Sequence, residues 1–276
     1  MQRGLSTHLL AEHRLNTVWL DRIWNAGIPL VEIFCARQHF DYRSQSQVGE
    51  VAYWFADAKL TLHSLHAPMF TDDCWGRSGP ASVVDITETS KPTRVKHVDE
   101  IKRAIEVAEK IPFSYLVQHL GVAGQEYDEP RLEAAFNSLE ELSLFAAHRG
   151  VKILLENIPS GIASAERLKH FVELMHLDLG FCFDVGHANI MEGVEEAFAI
   201  MGPRVRSTHV HDNNGVDDRH LFPLVREGGR VDWDKAMRVL RSRGGQYPLL
   251  LELKDPGDLP NPLDGVREVF EKLENI

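Results

Sequence analysis

Cysteine is scarce in this chain of 276 residues. Its three thiols, Cys35, Cys74 and Cys182, form no CxxC pair. That excludes a disulfide framework and a thiolate zinc site, and it points to a reducing compartment. No apolar run approaches the ~18 residues that suggest a membrane span, and the opening MQRGLSTHLL lacks the long apolar core of a secretory signal. A cytoplasmic protein with no membrane partner is the expectation. Phosphate-cradling GxGxxG and GxxxxGKS/T runs are missing too, so no nucleotide cofactor is expected. Basic charge is in deficit: 30 Lys and Arg against 41 Asp and Glu leave a net charge of −11, with no basic tract. This argues against a nucleic-acid partner, although affinity follows local rather than net charge.

The apolar content is ample. At 43% hydrophobic residues, the chain can bury a large core. Short apolar runs alternate with amphipathic segments along its length, the pattern of parallel βαβ units. Strands are expected at Gly4 to Thr7, Leu30 to Phe34, Leu60 to His66, Tyr115 to His119, Lys152 to Asn157, Leu179 to Asp184, Val205 to His211 and Pro248 to Leu253. Helices are expected near residues 14–25, 47–57, 98–110, 131–149, 164–175, 192–201, 233–243 and 263–273. A polar loop, Met69 to Arg94, follows the third strand and is long enough to carry function. Eight strand–helix pairs in ~250 residues have the size and repeat of a (β/α)8 TIM barrel. An open doubly wound sheet is the alternative, and the missing phosphate loop weighs against it. The whole chain, 1–276, is expected to form this one α/β domain.

Barrels of this kind place their chemistry at the C-terminal ends of the strands. Those ends here read His66, His119, Glu156, Asp184, His209 and Glu252. A period of two puts Leu62 and Ser64 on one face with His66, Leu154 with Glu156, Cys182 with Asp184, and Leu250 with Glu252. His187, Asp218 and His220 follow in loops. The densest stretch is Ser207 to His220, STHVHDNNGVDDRH, with three His and five Asp or Asn. Singly, a strand-end His is more often a hydrogen-bonded rim residue, and a strand-end Asp often caps the next helix. Burying Glu156 and Glu252 unpaired would cost several kcal/mol or force a large pKa shift. A shared divalent cation removes that cost, and imidazole with carboxylate is the donor set of Zn²⁺, Mn²⁺ and related ions. Nine such groups at one rim read together as a metal site.

The segments LHAP (Leu65 to Pro68), QHLG (Gln118 to Gly121), LLENIP (Leu154 to Pro159), FDVGHAN (Phe183 to Asn189), HVHD (His209 to Asp212), DRH (Asp218 to His220) and LLLELK (Leu249 to Lys254) resemble the xylose isomerase-like TIM barrel superfamily. That superfamily joins metal-dependent sugar isomerases and epimerases with type IV apurinic endonucleases. The resemblance runs in order along nearly the whole chain and implies a barrel with a divalent-metal site. Its sugar branch implies one metal, Mn²⁺ or Zn²⁺ with Mg²⁺ or Co²⁺ as alternatives, held by Glu156, Asp184, His209 and Glu252. The two Glu would shuttle a proton through an enediolate. Its endonuclease branch implies three zinc ions, with His66, His119, His187, Asp218 and His220 as additional ligands of a phosphodiesterase.

Departures from the endonuclease pattern favour a small carbohydrate substrate. TDDCWG after Phe70 places two Asp where phosphates would pass, and the segment LFPLVREGGRVDW (Leu221 to Trp233) is longer than the endonuclease turn. A metal-dependent lyase or dehydratase is a third alternative. His187, Glu32, His211, Arg219 and Lys254 are the candidate substrate-binding residues; Glu32 alternatively orients a ligand His, and Arg226 is a further candidate for an anionic group. Trp54, Phe70, Trp75 and Trp233 suit either stacking on a sugar ring or packing. Assembly as a homodimer stays open.

Overall fold

A computed structural model describes residues 1–276. Eight strands, β1 (Arg3–Ser6), β2 (Leu30–Phe34), β3 (Thr61–His66), β4 (Tyr115–His119), β5 (Lys152–Glu156), β6 (Gly180–Asp184), β7 (Val205–His209) and β8 (Leu249–Leu251), form one sheet in the order β7-β6-β5-β4-β3-β2-β1-β8. All its ladders are parallel. The sheet curls until its two ends meet, giving a (β/α)8 TIM barrel.

The seam between β7 and β8 is thinly bonded. One parallel bridge joins Val210 to Leu251. Val210 N–H donates to Leu250 O at 2.9 Å, and Glu252 N–H donates to Val210 O at 3.2 Å. Beneath them the Thr208 hydroxyl stands in for the backbone, donating to Pro248 O at 2.9 Å and accepting from Leu250 N–H at 3.3 Å.

The connecting helices are α1 (Thr17–Asn25), α2 (Gln45–Asp57), α3 (Lys91–Ile105), α4 (Glu129–Ala147), α5 (Ala165–Met175), α6 (Val185–Ile190), α7 (Val194–Met201), α8 (Trp233–Arg241) and α9 (Pro262–Glu274). Asn16, Ser44, Ser164, Asp184, Asp232 and Asn261 each accept a first-turn N–H at a helix start, satisfying donors the helix itself cannot. A cluster of 67 buried apolar residues fills the space around the sheet. A separate small cluster of Val117, Leu154 and Cys182, flanked by Tyr115, plugs the barrel. Gly180 belongs to this plug, because a Cβ there would lie 2.7 Å from Leu154 Cδ2.

Several boundaries differ from the sequence expectation. Helix α3 begins at Lys91 with Pro92 in its first turn, where proline's missing N–H costs nothing, so the long loop ends at Ser90. That loop folds on itself: Phe70 bridges Val83, Val84 N–H donates to Met69 O at 2.9 Å, and Thr71 N–H donates to Ser82 O at 2.8 Å. Asp85 fastens its far end to α4 through Arg131 at 3.0 Å. The short helix α6 was not expected. Strand β7 ends at His209 and β8 at Leu251, so His211 and Glu252 lie just beyond their strands. No helix is long and apolar enough to cross a membrane.

Candidate metal centre

The strand alternation that sends Val117, Leu154 and Cys182 into the barrel sends His119, Glu156 and Asp184 there too, one step higher. The polar residues therefore stand on the apolar plug. Three groups of donor atoms result, each with its atoms within 4.8 Å of one another: Glu156, Asp184, His209 and Glu252; His66, His119 and Glu156; and His187, His211, Asp218 and His220.

The first group is the most deeply set, with all four residues at most 3% exposed. His209 Nδ1 lies 3.1 Å from Glu156 Oε1, 3.2 Å from Glu252 Oε2 and 3.9 Å from Asp184 Oδ2. Its other ring nitrogen donates to Glu32 Oε1 at 3.0 Å, and Glu32 is itself held by the Ser64 hydroxyl at 2.8 Å. That fixes the tautomer, with Nδ1 turned toward the carboxylates. The outer histidines are oriented likewise. His66, His187 and His220 each donate Nδ1–H to a backbone carbonyl, of Ala67 at 3.0 Å, Asn157 at 2.9 Å and Glu252 at 2.9 Å, and each aims Nε2 at a carboxylate. Asp184 serves twice, because its Oδ1 also accepts from His187 N–H at 2.6 Å as the N-cap of α6. Gly186 lets that helix close over His211: a Cβ there would lie 2.1 Å from the imidazole Cε1.

Five carboxylates and six imidazoles thus share one pit, and within 4.0 Å of Glu32, Glu156, Asp184, Asp218 and Glu252 the cationic partners are all histidines. Protons take up the balance. Burial pushes the Glu156 carboxyl up, but His209 and His119 more than reverse this and hold it well below the usual carboxylate range. Burial lowers His209, and Cys182 with the carboxylates of Glu252, Glu32 and Glu156 raises it well above an ordinary imidazole. His187 is likewise lowered by burial but lifted well above the ordinary value by Asp184 and Asp218. Burial also lowers His220, and the bond to Asp218 brings it up to about 9. Crowded buried carboxylates with oriented ring nitrogens, and no lysine or arginine to neutralise them, make a donor set that fits divalent cations.

The pit opens into a cavity of about 760 Å³ lined by His66, His119, Glu156, His187, Asp218, His220, Glu252 and Lys254, with an apolar wall from the long loop. Four residues expected to contact substrate are placed elsewhere. Glu32 is fully buried beneath His209 and is cut off from the cavity by it. His211 is also fully buried; it contacts Asp184 Oδ2 at 3.1 Å and belongs to the third donor group. Arg219 turns outward to pair with Asp217 at 3.0 Å, and Arg226 pairs with Asp258 on the surface. Trp233 packs, its indole N–H donating to Asp212 Oδ2 at 2.7 Å, and Trp54 bonds Asp21 far from the pit. Phe70 and Trp75 do line the cavity. His8 and Gln118 also line it without having been singled out; the alternation Gly4, Ser6, His8 beyond β1 was the available signal for His8.

The fold and pit define an eight-stranded α/β barrel with clustered metal-ligand groups at the C-terminal ends of its strands. The chain belongs to the family described as xylose isomerase-like TIM barrel, whose sequence model matches residues 20–276. An uncharacterised protein of Methanocaldococcus jannaschii is 26% identical over 275 residues, spanning 98% of this chain and 100% of that one. An inosose dehydratase of Yersinia enterocolitica is 27% identical over 143 residues, 45% of this chain and 48% of that protein. Among solved structures, a D-tagatose 3-epimerase-like protein superposes with a TM-score of 0.75 at 25% identity, covering 100% of this chain and 99% of the other. The IOLI protein, solved with a bound zinc atom, shares the fold with a TM-score of 0.78 at 19% identity, covering 99% and 96%.

Proposed function

We propose that this protein is a divalent-metal-dependent isomerase or epimerase of a small carbohydrate, with Glu156 and Glu252 as its acid–base pair. The observation that carries this is the buried set of Glu156, Asp184, His209 and Glu252, four donor atoms within 4.8 Å, at the floor of a cavity of about 760 Å³. A divalent ion bound there supplies Lewis-acid polarisation of a carbonyl and its neighbouring hydroxyl.

The chain's own groups do the rest. Glu156, held ionised, suits the base. It takes the C–H proton beside the carbonyl, the electron pair of that bond enters the carbon–carbon bond, and negative charge passes to the carbonyl oxygen as an enediolate. Glu252 in its acid form returns a proton, to the same carbon from the opposite face for an epimerase or to the adjoining carbon for an isomerase. His187 and Lys254 line the cavity and can hold hydroxyl groups, and the apolar wall limits bulk water.

A zinc phosphodiesterase is the second reading, and the two outer donor groups favour it. Against it, Lys254 is the one lysine or arginine lining the cavity, which is little for a phosphodiester backbone. Elemental analysis of protein purified without chelator, followed by ketoses and their phosphates in D₂O with Mn²⁺, tests the proposal. About one metal per chain and deuterium appearing at the carbon beside the carbonyl are expected. Two or three tightly held zinc ions with hydrolysis of abasic DNA would put the phosphodiesterase first. No bound metal and no exchange would sink both.

A further inference from the structure

We propose that Gln118, Trp75 and His8 form a hydroxyl-reading subsite. Through it the protein selects a neutral substrate with free, unsubstituted hydroxyl groups at the end remote from the reacting carbons; this rests on the carbohydrate reading above. All three residues line the cavity, and none belongs to the donor groups of the pit. Each brings one hydrogen-bonding atom that the protein leaves open. Gln118 is 4% exposed, and its amide nitrogen donates to His119 O at 2.9 Å. A flipped amide would set oxygen against that carbonyl, so the orientation is fixed and Oε1 is the free atom. It is buried without a partner.

The indole of Trp75 is boxed by Phe34, His8 and Phe70, with ring centroids 5.1, 5.6 and 6.2 Å away, and its backbone N–H is tied to Gln38 Oε1 at 3.1 Å. Its Nε1–H is nevertheless buried and unpartnered. His8 gives Nδ1–H to Leu253 O at 3.1 Å, which leaves Nε2 of the neutral ring as an acceptor. Native proteins keep few buried polar atoms unpaired, because each one costs stability. Two such atoms on residues lining one cavity mark places kept for a ligand, and their chemistry limits what it is. Two acceptors and one donor call for groups that both give and take a hydrogen bond. A hydroxyl does both, whereas an ether, a carbonyl or a phosphate dianion only accepts and an ammonium only donates. The Gln118 and Trp75 atoms are already dehydrated in the free protein, so pairing them costs no further desolvation on the protein's side.

Calorimetry on the Mn²⁺-loaded protein tests this with D-fructose, D-tagatose and the carbonyl-free polyol sorbitol as probes. Gln118→Met and Trp75→Phe each keep an apolar side chain and remove one open atom. Each is expected to weaken binding roughly 3- to 10-fold, raising KM rather than lowering kcat. D-Fructose with each hydroxyl remote from the reacting carbons replaced in turn by fluorine completes a cycle, since fluorine donates no hydrogen bond. One analogue should bind the unsubstituted protein about as weakly as D-fructose binds Gln118→Met, and should lose nothing further in that variant. Unchanged affinity in both variants, penalties that simply add for every analogue, or no binding of any of the three probes overturns the proposal. The two ideas fail separately. Deuterium exchange into a ketose with a KM that neither substitution changes would refute the subsite and spare the epimerase, whereas sorbitol binding weakened by both substitutions, without exchange on any ketose, would do the reverse.

Discussion

Metal affinity should rise steeply with pH, and the geometry of His209 sets the slope. Nδ1 of this ring faces Glu156, Glu252 and Asp184 while Nε2–H is tied to Glu32. In the metal-free protein the ring is held well above the ordinary imidazole value, so at neutral pH Nδ1 carries a proton. A cation in the four-donor group must displace it. Glu156 and Asp184 contribute nothing to this slope, since both are held below their ordinary values and are ionised at neutral pH.

The sign follows. A raised folded-state value means the proton stabilises the metal-free protein at low pH, so metal competes poorly there and better as pH rises. One displaced proton corresponds to about tenfold in dissociation constant per pH unit for as long as the pH stays below the raised value of the ring. Each further cation seated by His187 and His220, which also hold protons at neutral pH, should add its own proton to the total release. Calorimetric titration with Mn²⁺ in two buffers of different ionisation enthalpy counts the protons directly. A pH-independent affinity with no proton release would falsify the assignment of His209 as a ligand.

Glu32→Gln should weaken metal binding roughly 10- to 100-fold by releasing His209 from its tautomer, with the melting temperature of the metal-free protein little lowered; unchanged affinity in the same titration would show that Glu32 does not orient the ring. Asp212 accepts Trp233 Nε1–H at 2.7 Å and the N–H groups of Asn213, Arg230 and Val231 at 2.8 to 3.1 Å. Asp212→Asn turns one acceptor into a donor facing donors, which should cost about 2–3 kcal/mol and lower the melting temperature by roughly 5–10 °C in a calorimetric scan. His39 is fully buried between Thr7 and His13, and burial lowers it to about 4. Its contribution is complete above the unfolded value near ~6.5 and is lost as pH falls toward ~4, about 3 kcal/mol in all. Urea melts across that window should show the loss, and His39→Gln should flatten it by one proton; an identical slope in the variant would assign the acid sensitivity elsewhere.

The strands were legible where hydrophobicity and register agree. The runs LVEIF and YLVQH coincide with β2 and β4 to the residue, because each is a short stretch rich in apolar residues that stands apart from the amphipathic segments around it. Helix α3 was legible only in its apolar half: Lys91 to His97 lacks the periodic signal, and Pro92 starts the helix rather than ending the loop. Helix α6 hid inside FDVGHAN, since its buried residues serve the pit instead of repeating every three or four positions. The period of two placed His66, Glu156, Asp184 and Glu252 on the inward faces of their strands, and the barrel does bring them together. It could not separate Glu32 from the cavity, because depth along the barrel axis is not encoded in alternation. Alternation makes His211 a substrate contact for a related reason: the backbone turns just past β7, and only the fold shows the ring closing under Gly186. Arg219 shows the limit of reading a loop charge without its neighbours, since Asp217, two residues before it, claims it.

The thin join between β7 and β8 gives the pit a mechanical meaning. His209 ends β7 and Glu252 follows β8, so these two donors stand on opposite sides of the place where the barrel is least stitched, above the Thr208 hydroxyl that replaces part of the ladder. In the proposed metal-bound protein, a single ion held by Glu156, Asp184, His209 and Glu252 would rivet the β5–β7 side of the wall to β8 across the seam. Loading and stripping it would then alter how readily the whole wall parts, with slow-exchanging amides at Val210 and Glu252 as the sign that the rivet is in place.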